Sequence, residues 1–503
     1  MANPLFDALF AVHEGKSTNF LFLPDGQTIS HAEFLAMAAR FANALVACGL
    51  EPGDRLAVQI EKSPQALAIY AACVQSGVIF LPLNTAYTAS EILYFVENSG
   101  ARLFLCDPAT RPALEPVLRD TNAQIETLDG AGQGSFADIA VDLPPSFTTV
   151  ARDINDLAAF LYTSGTTGRS KGAMLTQGNL LSNAQALVGE WRFKADDCLL
   201  HALPIFHSHG LFVAINVSLL AGNPMILLPK FDADTVISQL PKATTMMGVP
   251  TFYTRLLADA RFDRALTGHM RLFISGSAPL LAETHERFEA CTGHRILERY
   301  GMTETNMITS NPYDGERRAG TVGFPLPGVD LKVTNAETGA SLPAGKIGQI
   351  EVRGPNVFIG YWQMPEKTRE ELCSDGFFIT GDLGMISDDG YVQIIGRNKD
   401  LIITGGYNVY PKEVELVLDD QPGVVESAVI GVPHPDFGET VVGVLVQDGK
   451  GGVDLTAVQG AVEASLASFK RPRKLIVVDA LPRNTMGKVQ KNLLRGEYSD
   501  LFA

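Results

Sequence analysis

Short apolar runs alternate with helical patterns through the first part of the chain. Residues 55–60 form a short, mostly apolar run, residues 63–77 carry apolar positions at helical spacing after a Ser-Pro start, and residues 78–83 are apolar again. The helix-then-strand pattern recurs over residues 89–99 and 102–106, and over residues 234–240 and 244–248. This alternation predicts an α/β fold with mostly parallel sheets covered by helices.

The pattern changes after about residue 320. Short extended runs separated by turns at residues 331–334, 349–353 and 392–395 predict a β-rich subdomain over about 320–398. The last hundred residues have an α+β pattern, with helices at 411–418 and 455–466 and strands at 424–431, 441–446 and 474–478. We therefore predict an N-terminal domain over residues 1–398 and a C-terminal domain over residues 399–503.

Length and charge limit the possible classes of function. The 503 residues exceed one hydrophobic core, and the 46% hydrophobic content is enough for several. A net charge of −16 disfavours nucleic acid and anionic membrane surfaces as partners. Residues 470–495 differ, with eight basic residues and one acid. This segment is either a solvated basic face or a binding site for an anion.

Several features predict a cytoplasmic protein. The six cysteines are scattered without a CxxC pair, which indicates buried, reduced thiols. The N-terminus lacks the basic region and long apolar run of a signal peptide. Residues 198–228 contain no Lys, Arg, Asp or Glu, but polar residues interrupt them, so a buried strand–helix–strand passage is favoured over a membrane span.

A loop rich in glycine and hydroxyl groups follows the apolar run 157–161. Residues 162–172 read YTSGTTGRSKG. Glycines allow tight turns, and hydroxyls and backbone N–H groups can then converge on an anion, so the loop is predicted to hold phosphate. Gly172 follows the lysine and an extended segment comes next, which argues against a P-loop NTPase. A plain surface turn is the alternative.

Further motifs follow in order: YGMTET at 300–305, TGD at 380–382, GRNKD at 396–400, GGYNVYP at 405–411 and PRNTMGKVQK at 482–491. With the loop, they make the chain resemble the ANL superfamily of adenylate-forming enzymes over nearly its whole length. The resemblance implies an acetyl-CoA synthetase-like fold, in which the large domain has two mostly parallel sheets plus a β-rich subdomain and the small C-terminal domain is mobile. It implies an AMP-forming acyl-CoA synthetase that uses ATP, Mg²⁺ and coenzyme A.

The same resemblance implies a nucleotide site. Its members would be Thr163, Ser164, Gly165, Thr166, Thr167, Gly168, Lys171, Ser277, Ala278, Glu298, Tyr300, Gly301, Thr303, Asp382, Arg397 and Lys488. Glu304 would hold Mg²⁺, and Thr303 would donate to the α-phosphate. Asp382 would bind the ribose with help from Arg397, and Tyr300 would stack on adenine. Taken singly, each could be an ordinary salt bridge, surface acid or core aromatic residue.

Lys488 is implied to be the catalytic lysine. A carboxylate must attack the α-phosphorus of ATP, so a cation is needed where two anions meet. Lys399 would be the hinge of the mobile domain. Gly405, Gly406, Tyr407 and Arg471 would contact coenzyme A. Reversible acylation of Lys488 would switch the enzyme off.

The acid substrate is predicted from Glu298-Arg299, directly before Tyr300. A buried arginine is costly unless an anion pairs with it, and this version of the motif resembles the malonyl-CoA synthetase group. The expected substrate is malonate or methylmalonate. Arg299 would bind the distal carboxylate, His207 and Ser277 would lie near it, and Arg255 would be a weaker second cation. An internal salt bridge between Arg299 and Glu298 or another acid is the structural alternative.

Other functions remain open from the sequence. They are a synthetase for a short monocarboxylate such as acetate, a module that loads a carrier protein, a luciferase-like oxygenase, and a non-catalytic nucleotide-binding protein. Ser170 also departs from many relatives of the superfamily, which have proline before the loop lysine. This change would loosen the loop without removing its donors.

Overall fold

A computed structural model describes residues 3–163, 170–405, 407–448, 452–484 and 487–502. The chain divides into two compact units. The first comprises Met1–Asp330 and Val352–Phe378, and the second comprises Leu331–Glu351 and Ile379–Ala503. The domain limits at residues 398 and 399 stay a prediction, because the compact units separate at other positions.

The first unit contains a six-stranded sheet among its described residues. In spatial order the strands are Gln124–Thr127, Leu103–Cys106, Arg55–Gln59, Ile79–Pro82, Leu157–Thr163 and Lys171–Thr176. Neighbouring strands pair in parallel, except for the last two, which form an antiparallel pair. The chain between these two strands, residues 164–170, is called the glycine–hydroxyl loop below. Strands such as Leu103–Cys106 are buried along their whole length because helices cover both faces of the sheet.

The other large sheet of this unit has nine strands among the described residues. In spatial order they are Phe324–Pro325, Asn306–Ser310, Leu297–Met302, Leu272–Ser275, Thr245–Gly248, Leu199–His201, Met225–Leu227, Asn19–Phe22 and Thr28–Ser30. The six strands from Leu297–Met302 to Asn19–Phe22 are parallel. Parallel strands end at one edge of a sheet, where open α/β folds bind ligands. The predicted α/β class with two mostly parallel sheets is confirmed.

Helices connect these strands. They are Pro4–Leu9, His31–Ala47, Pro64–Ser76, Ala89–Ser99, Arg111–Leu118, Ser135–Ala140, Gln177–Glu190, Asn216–Ala221, Ala233–Gln239, Pro250–Leu257, Arg264–Thr267, Ala282–Thr292 and Pro365–Glu371. The helix Ala89–Ser99 has the predicted limits: Thr88 and Glu91 form a capping box, and left-handed Gly100 ends it.

Residues 198–228 form a buried passage, as predicted. The strands Leu199–His201 and Met225–Leu227 enclose a π-helix, His209–Ile215, and the helix Asn216–Ala221. In the described part of the chain, every helix is too short or too polar to cross a bilayer. The π-helix was not predicted, because a seven-residue apolar run does not reveal its period.

The second unit begins with most of a four-stranded sheet. Its strands are Asp330–Thr334, Gly348–Arg353, Phe378–Ile386 and Val392–Arg397 in that order, and the last two are antiparallel. A short 3-10 turn, Asn398–Asp400, follows. These strands confirm the β-rich pattern.

The remainder of the second unit is an α+β fold. Its strands are Tyr407–Val409, Ile402–Thr404, Gly438–Gln447, Val424–His434 and Lys474–Val478, and its helices are Pro411–Asp419, Leu455–Ser465 and Lys491–Glu497. Val429 packs on one face of the sheet with the first two helices, whereas Ala428 and Ile430 pack on the other face with Leu494 of the third helix. The hairpin strands run beyond the predicted 424–431 and 441–446, because pairing continues to His434 and Gly438.

One prediction about the cysteines was wrong in part. All six are free, and Cys73, Cys106 and Cys198 are buried as expected. Cys48, Cys291 and Cys373 are only partly buried. Apolar neighbours in sequence do not determine burial, because neighbouring positions on a helix face different directions.

Candidate active site

The first unit gathers predicted site residues at one sheet edge. Arg299 lies in the strand Leu297–Met302, and Thr303 and Glu304 come directly after it. Ser277 follows the parallel neighbour Leu272–Ser275. The loop with His207 follows Leu199–His201 in the same sheet. Tyr300, Gly301, Thr303 and Ala278 are half-buried here, and Glu298 is buried, with Oε1 accepting the N–H of Leu280 at 3.2 Å.

Glu304 is buried within a small polar network. Its Oε1 accepts a hydrogen bond from the Thr163 hydroxyl at 3.3 Å and lies 3.0 Å from the Tyr361 hydroxyl oxygen. Its backbone carbonyl accepts the N–H of Phe358 at 2.8 Å. These contacts fix the carboxylate beside Thr163, the last described residue before the glycine–hydroxyl loop.

These oxygens fit a hard cation. Among the residues that the structure describes, no group of three or more His, Cys, Asp or Glu side chains could hold a metal by itself. Mg²⁺ is usually bound by one or two carboxylates together with substrate phosphates. The donor set therefore suits a magnesium ion that is shared with a nucleotide.

Lys171 is held by protein groups. Its ammonium lies 3.2 Å from Oε1 of Glu371 and 4.1 Å from the centroid of the Tyr361 ring. Its role as a phosphate ligand remains a prediction. Some of the predicted site residues lie outside the described residues. They are Ser164, Gly165, Thr166, Thr167 and Gly168 of the glycine–hydroxyl loop and Gly406 of the predicted coenzyme A site.

Arg299 is a buried cation whose guanidinium is only partly satisfied by hydrogen bonds. The side chain is 3% exposed, and its Nε and Nη2 atoms are buried with no hydrogen-bond partner. No ion pair found in the described chain includes Arg299, so the predicted alternative of a salt bridge with Glu298 is not formed. Burial lowers the pKa of Arg299 to about 9, although electrostatic interactions with Tyr253 and Glu298 act to raise it, so the guanidinium stays protonated at neutral pH.

The guanidinium lies against the backbone of Gly276. A Cβ atom at position 276 would stand 2.4 Å from Cζ of Arg299, so only glycine leaves room for this side chain. Ser277 next to it has a φ of +71°, a left-handed conformation that is uncommon for serine. The turn after the strand Leu272–Ser275 is thus shaped around the arginine.

His209 is a site residue that the sequence reasoning missed. Its Nδ1 lies 3.1 Å from the Ser277 hydroxyl, and its buried Nε2 has no hydrogen-bond partner. Burial, and next the charge of Arg299, lower its pKa well below the ordinary value, so the ring is neutral. The predicted His207 is half-buried and packs on Phe206 with ring centroids 4.8 Å apart, and its place near the substrate stays a prediction. The sequence His-Ser-His-Gly at residues 207–210 could have indicated His209, because it places a second histidine two residues after His207.

Arg255 occupies a different environment. It is exposed on the helix Pro250–Leu257, two residues from buried Tyr253. Residues two apart on a helix point in different directions. Its place near the substrate stays a prediction.

In the second unit, Asp382 and Arg397 form an ion pair. They are cross-strand partners, and Nε of Arg397 lies 2.8 Å from Oδ1 of buried Asp382. Nη1 of Arg397 also donates to the carbonyl of Thr380 at 3.3 Å. The pair holds the carboxylate in one orientation, as a group that accepts hydrogen bonds from ribose hydroxyls requires.

Lys488 lies on a tight turn of the second unit. The N–H of Lys488 donates to Oδ1 of Asn484 at 3.0 Å, and the N–H of Asn484 donates to the carbonyl of Lys488 at 2.9 Å. Arg483 pairs with Glu426 and so ties the turn to the sheet. The side chain of Lys488 is exposed, and so is Lys399 in the 3-10 turn Asn398–Asp400.

The second unit has a cleft of about 500 Å³. Gly405, Tyr407, Phe437, Phe469, Arg471 and Arg473 are among its lining residues. The rings of Tyr407 and Phe469 stack at 4.8 Å, and Arg473 lies 4.3 Å from the Phe437 centroid. Arg471 donates to the carbonyls of Leu466 and Glu463, both at 2.8 Å, so its guanidinium is engaged by a helix end.

Together, the sheets, the ordered motifs and the separate small unit define a two-unit nucleotide-binding α/β enzyme. The profile described as AMP-binding enzyme matches residues 10–362, and the profile described as AMP-binding enzyme C-terminal domain matches residues 413–488. The chain belongs to the AMP-binding enzyme family, which confirms the adenylate-forming class.

Similar proteins match this chain over nearly all of its length. The crystal structure of ATP-bound MatB from Rhodopseudomonas palustris is 56% identical, with a TM-score of 0.98 and 100% of both chains covered. The malonate–CoA ligase of Arabidopsis thaliana is 31% identical over 98% of this chain and 88% of that protein. The feruloyl-CoA synthase of an Amycolatopsis species is 34% identical over 94% of each.

Proposed function

We propose that the chain is an ATP-dependent, AMP-forming malonate–CoA ligase. It joins malonate to coenzyme A through malonyl-adenylate and releases pyrophosphate and AMP. The observation that carries the choice of acid is the buried guanidinium of Arg299, whose Nε and Nη2 atoms have no hydrogen-bond partner. Relatives named malonate–CoA ligase support the same reading.

A dicarboxylate explains why the arginine is kept. A buried, unpaired cation costs several kcal/mol, and an anionic ligand that pairs with it recovers much of that cost. Malonate brings one carboxylate for Arg299 and a second for the reaction. The orphaned Nε2 of neutral His209 can donate a further hydrogen bond to the distal carboxylate when its proton is on that nitrogen.

The first half-reaction is the attack of the malonate carboxylate on the α-phosphorus of ATP. Glu304 would hold Mg²⁺, which neutralises charge on the phosphates. Thr303 would donate to the α-phosphate, Tyr300 would stack on adenine, and Asp382 would accept from the ribose. Lys488 would neutralise the two reacting anions. In the second half-reaction the coenzyme A thiol attacks the adenylate and AMP leaves.

An exchange assay tests the proposal against its rivals. Malonate should drive ATP–pyrophosphate exchange, and acetate should do so at least ~10-fold less efficiently, because acetate leaves Arg299 unpaired. Exchange that is equally efficient with acetate would favour the monocarboxylate synthetase. Release of AMP with coenzyme A and no carrier protein would exclude carrier loading as the sole activity.

The aromatic cleft of the second unit fits the nucleotide end of coenzyme A. Stacked rings can hold a base, and exposed Arg473 can pair with phosphate. Arg473→Glu should raise the KM for coenzyme A ~10-fold or more and leave malonate-dependent pyrophosphate exchange unchanged. Lys474→Glu is the control, since Lys474 is also exposed but is not among the cleft residues. Equal effects from both variants would indicate general charge repulsion.

Two further expectations belong to this proposal. Lys488 is exposed, so acylation of its amine can reach it and would remove the catalytic charge. Acylated protein that keeps full adenylation activity would exclude that switch.

A cytoplasmic location is supported by six free cysteines, which suit a reducing compartment, and cell fractionation tests it.

A further inference from the structure

The two ends of the glycine–hydroxyl loop are tied to two different carboxylates. Thr163 and Lys171 are partners on the antiparallel strands that flank the loop. The Thr163 hydroxyl donates to Oε1 of Glu304 at 3.3 Å. The Lys171 ammonium lies 3.2 and 3.3 Å from the two carboxylate oxygens of Glu371. Each flanking strand is therefore fixed at the loop by its own acid.

Tyr361 joins the two acids through one proton. Its hydroxyl lies 3.0 Å from Oε1 of Glu304 and 2.6 Å from Oε2 of Glu371. A phenol has a single hydrogen, so Tyr361 donates to only one of these carboxylates at a time.

The segment that carries Tyr361 is held by backbone pairing. The N–H of Met174 donates to the carbonyl of Gly360 at 3.0 Å, and the N–H of Trp362 donates to the carbonyl of Gly172 at 2.8 Å. These bonds lie along the edge of the strand Lys171–Thr176 that faces away from its partner strand Leu157–Thr163. Tyr361 is therefore placed by the same strand that begins with Lys171.

Glu371 is ionised and neutralised inside this network. Burial raises its pKa, but hydrogen bonds from Tyr361 and Lys367 and the charge of Lys171 outweigh burial and lower it. Lys171 is only 9% exposed, and its ammonium also lies over the Tyr361 ring. The charge of Lys171 thus compensates Glu371.

We propose that Tyr361, Glu371 and Lys171 are positioning residues that orient Glu304 for the magnesium ion that accompanies the nucleotide. The inference rests on the proposed function, which assigns that metal to Glu304. A cation at Glu304 and a Tyr361 proton donated to Glu371 satisfy both acids together. Without the cation, one acid lacks that hydrogen bond. Lys171 then acts through Glu371, in place of the direct phosphate contact predicted from its motif.

Mn²⁺ binding measures this role apart from turnover. Mn²⁺ would be added stepwise to protein that carries a non-hydrolysable ATP analogue, and electron paramagnetic resonance would measure the free Mn²⁺. Tyr361→Phe, Glu371→Gln and Lys171→Met should each weaken Mn²⁺ affinity ~10-fold or more, because each removes a charge-assisted contact of the network. Binding of the same analogue in EDTA should stay within about twofold, and added Mg²⁺ should restore part of the turnover.

Tyr162→Phe is the matched control. Its hydroxyl donates to Oδ1 of Asn98 at 2.6 Å, so its loss should leave Mn²⁺ affinity unchanged. Wild-type Mn²⁺ affinity in both folded Tyr361→Phe and Glu371→Gln would overturn the inference. So would a Lys171→Met variant that weakens analogue binding equally with and without metal. Wild-type protein that binds Mn²⁺ and nucleotide but shows no malonate-dependent exchange would refute the substrate and leave this positioning role standing.

Discussion

Replacing Lys488 with alanine should lower the rate of malonyl-adenylate formation by roughly 10²–10³ or more. The reaction brings a carboxylate to a charged phosphate, and the variant lacks the cation that offsets their repulsion. The turn around Lys488 is formed by Asn484 and the backbone, so the variant should fold normally. Malonate-dependent pyrophosphate exchange measures the loss.

The second half-reaction provides the control for Lys488. Release of AMP from synthetic malonyl-adenylate and coenzyme A should fall far less in the same variant, because no phosphate is attacked in that step. Lys488→Arg tests the position of the charge, since a guanidinium differs in shape from an ammonium. Equal losses in both half-reactions would contradict the role of Lys488 in adenylation.

Replacing Arg299 with alanine should raise the KM for malonate ~10-fold or more. A charge-assisted pair with the distal carboxylate is worth about 1.5–3 kcal/mol, which corresponds to roughly 10–150-fold in affinity. The variant also removes an unpaired buried charge, so the free protein should not lose stability from that term. Steady-state kinetics with malonate, together with thermal unfolding, separate the two effects.

Acetate is the matched substrate for the Arg299 variant. It lacks the distal carboxylate, so its kcat/KM should be unchanged or improved in Arg299→Ala. Arg299→Lys keeps the positive charge but loses the bidentate geometry of the guanidinium, so its KM for malonate should lie between those of the wild type and Arg299→Ala. An unchanged malonate KM in Arg299→Ala would remove Arg299 from substrate recognition.

Local rules predicted much of the fold. The helix Ala89–Ser99 has its predicted limits because Thr88, Glu91 and Gly100 are start and stop signals within the segment itself. The hairpin of Val424–His434 and Gly438–Gln447 is longer than predicted. Its added residues include Pro433 and polar residues, so a search for apolar runs does not find them.

The site was only partly predictable, for a different reason. Arg299 was identified because Glu298-Arg299 stands before Tyr300 as in the malonyl-CoA synthetase group, and because a buried arginine is costly without an anion. Tyr361 and Glu371 were missed, since they contact Glu304 and Lys171 across 57 and 200 residues. His209 was missed because its importance comes from Ser277, brought near by the fold 68 residues away. Such contacts are made by tertiary structure and leave no local pattern.

Identifying the products of one reaction tests the central claim most directly. The purified chain would be incubated with ATP, Mg²⁺, coenzyme A and malonate, with acetate in parallel. The proposal predicts AMP, pyrophosphate and malonyl-CoA, with a kcat/KM for malonate at least ~10-fold above that for acetate. ADP as the nucleotide product, or no turnover with malonate, would contradict it.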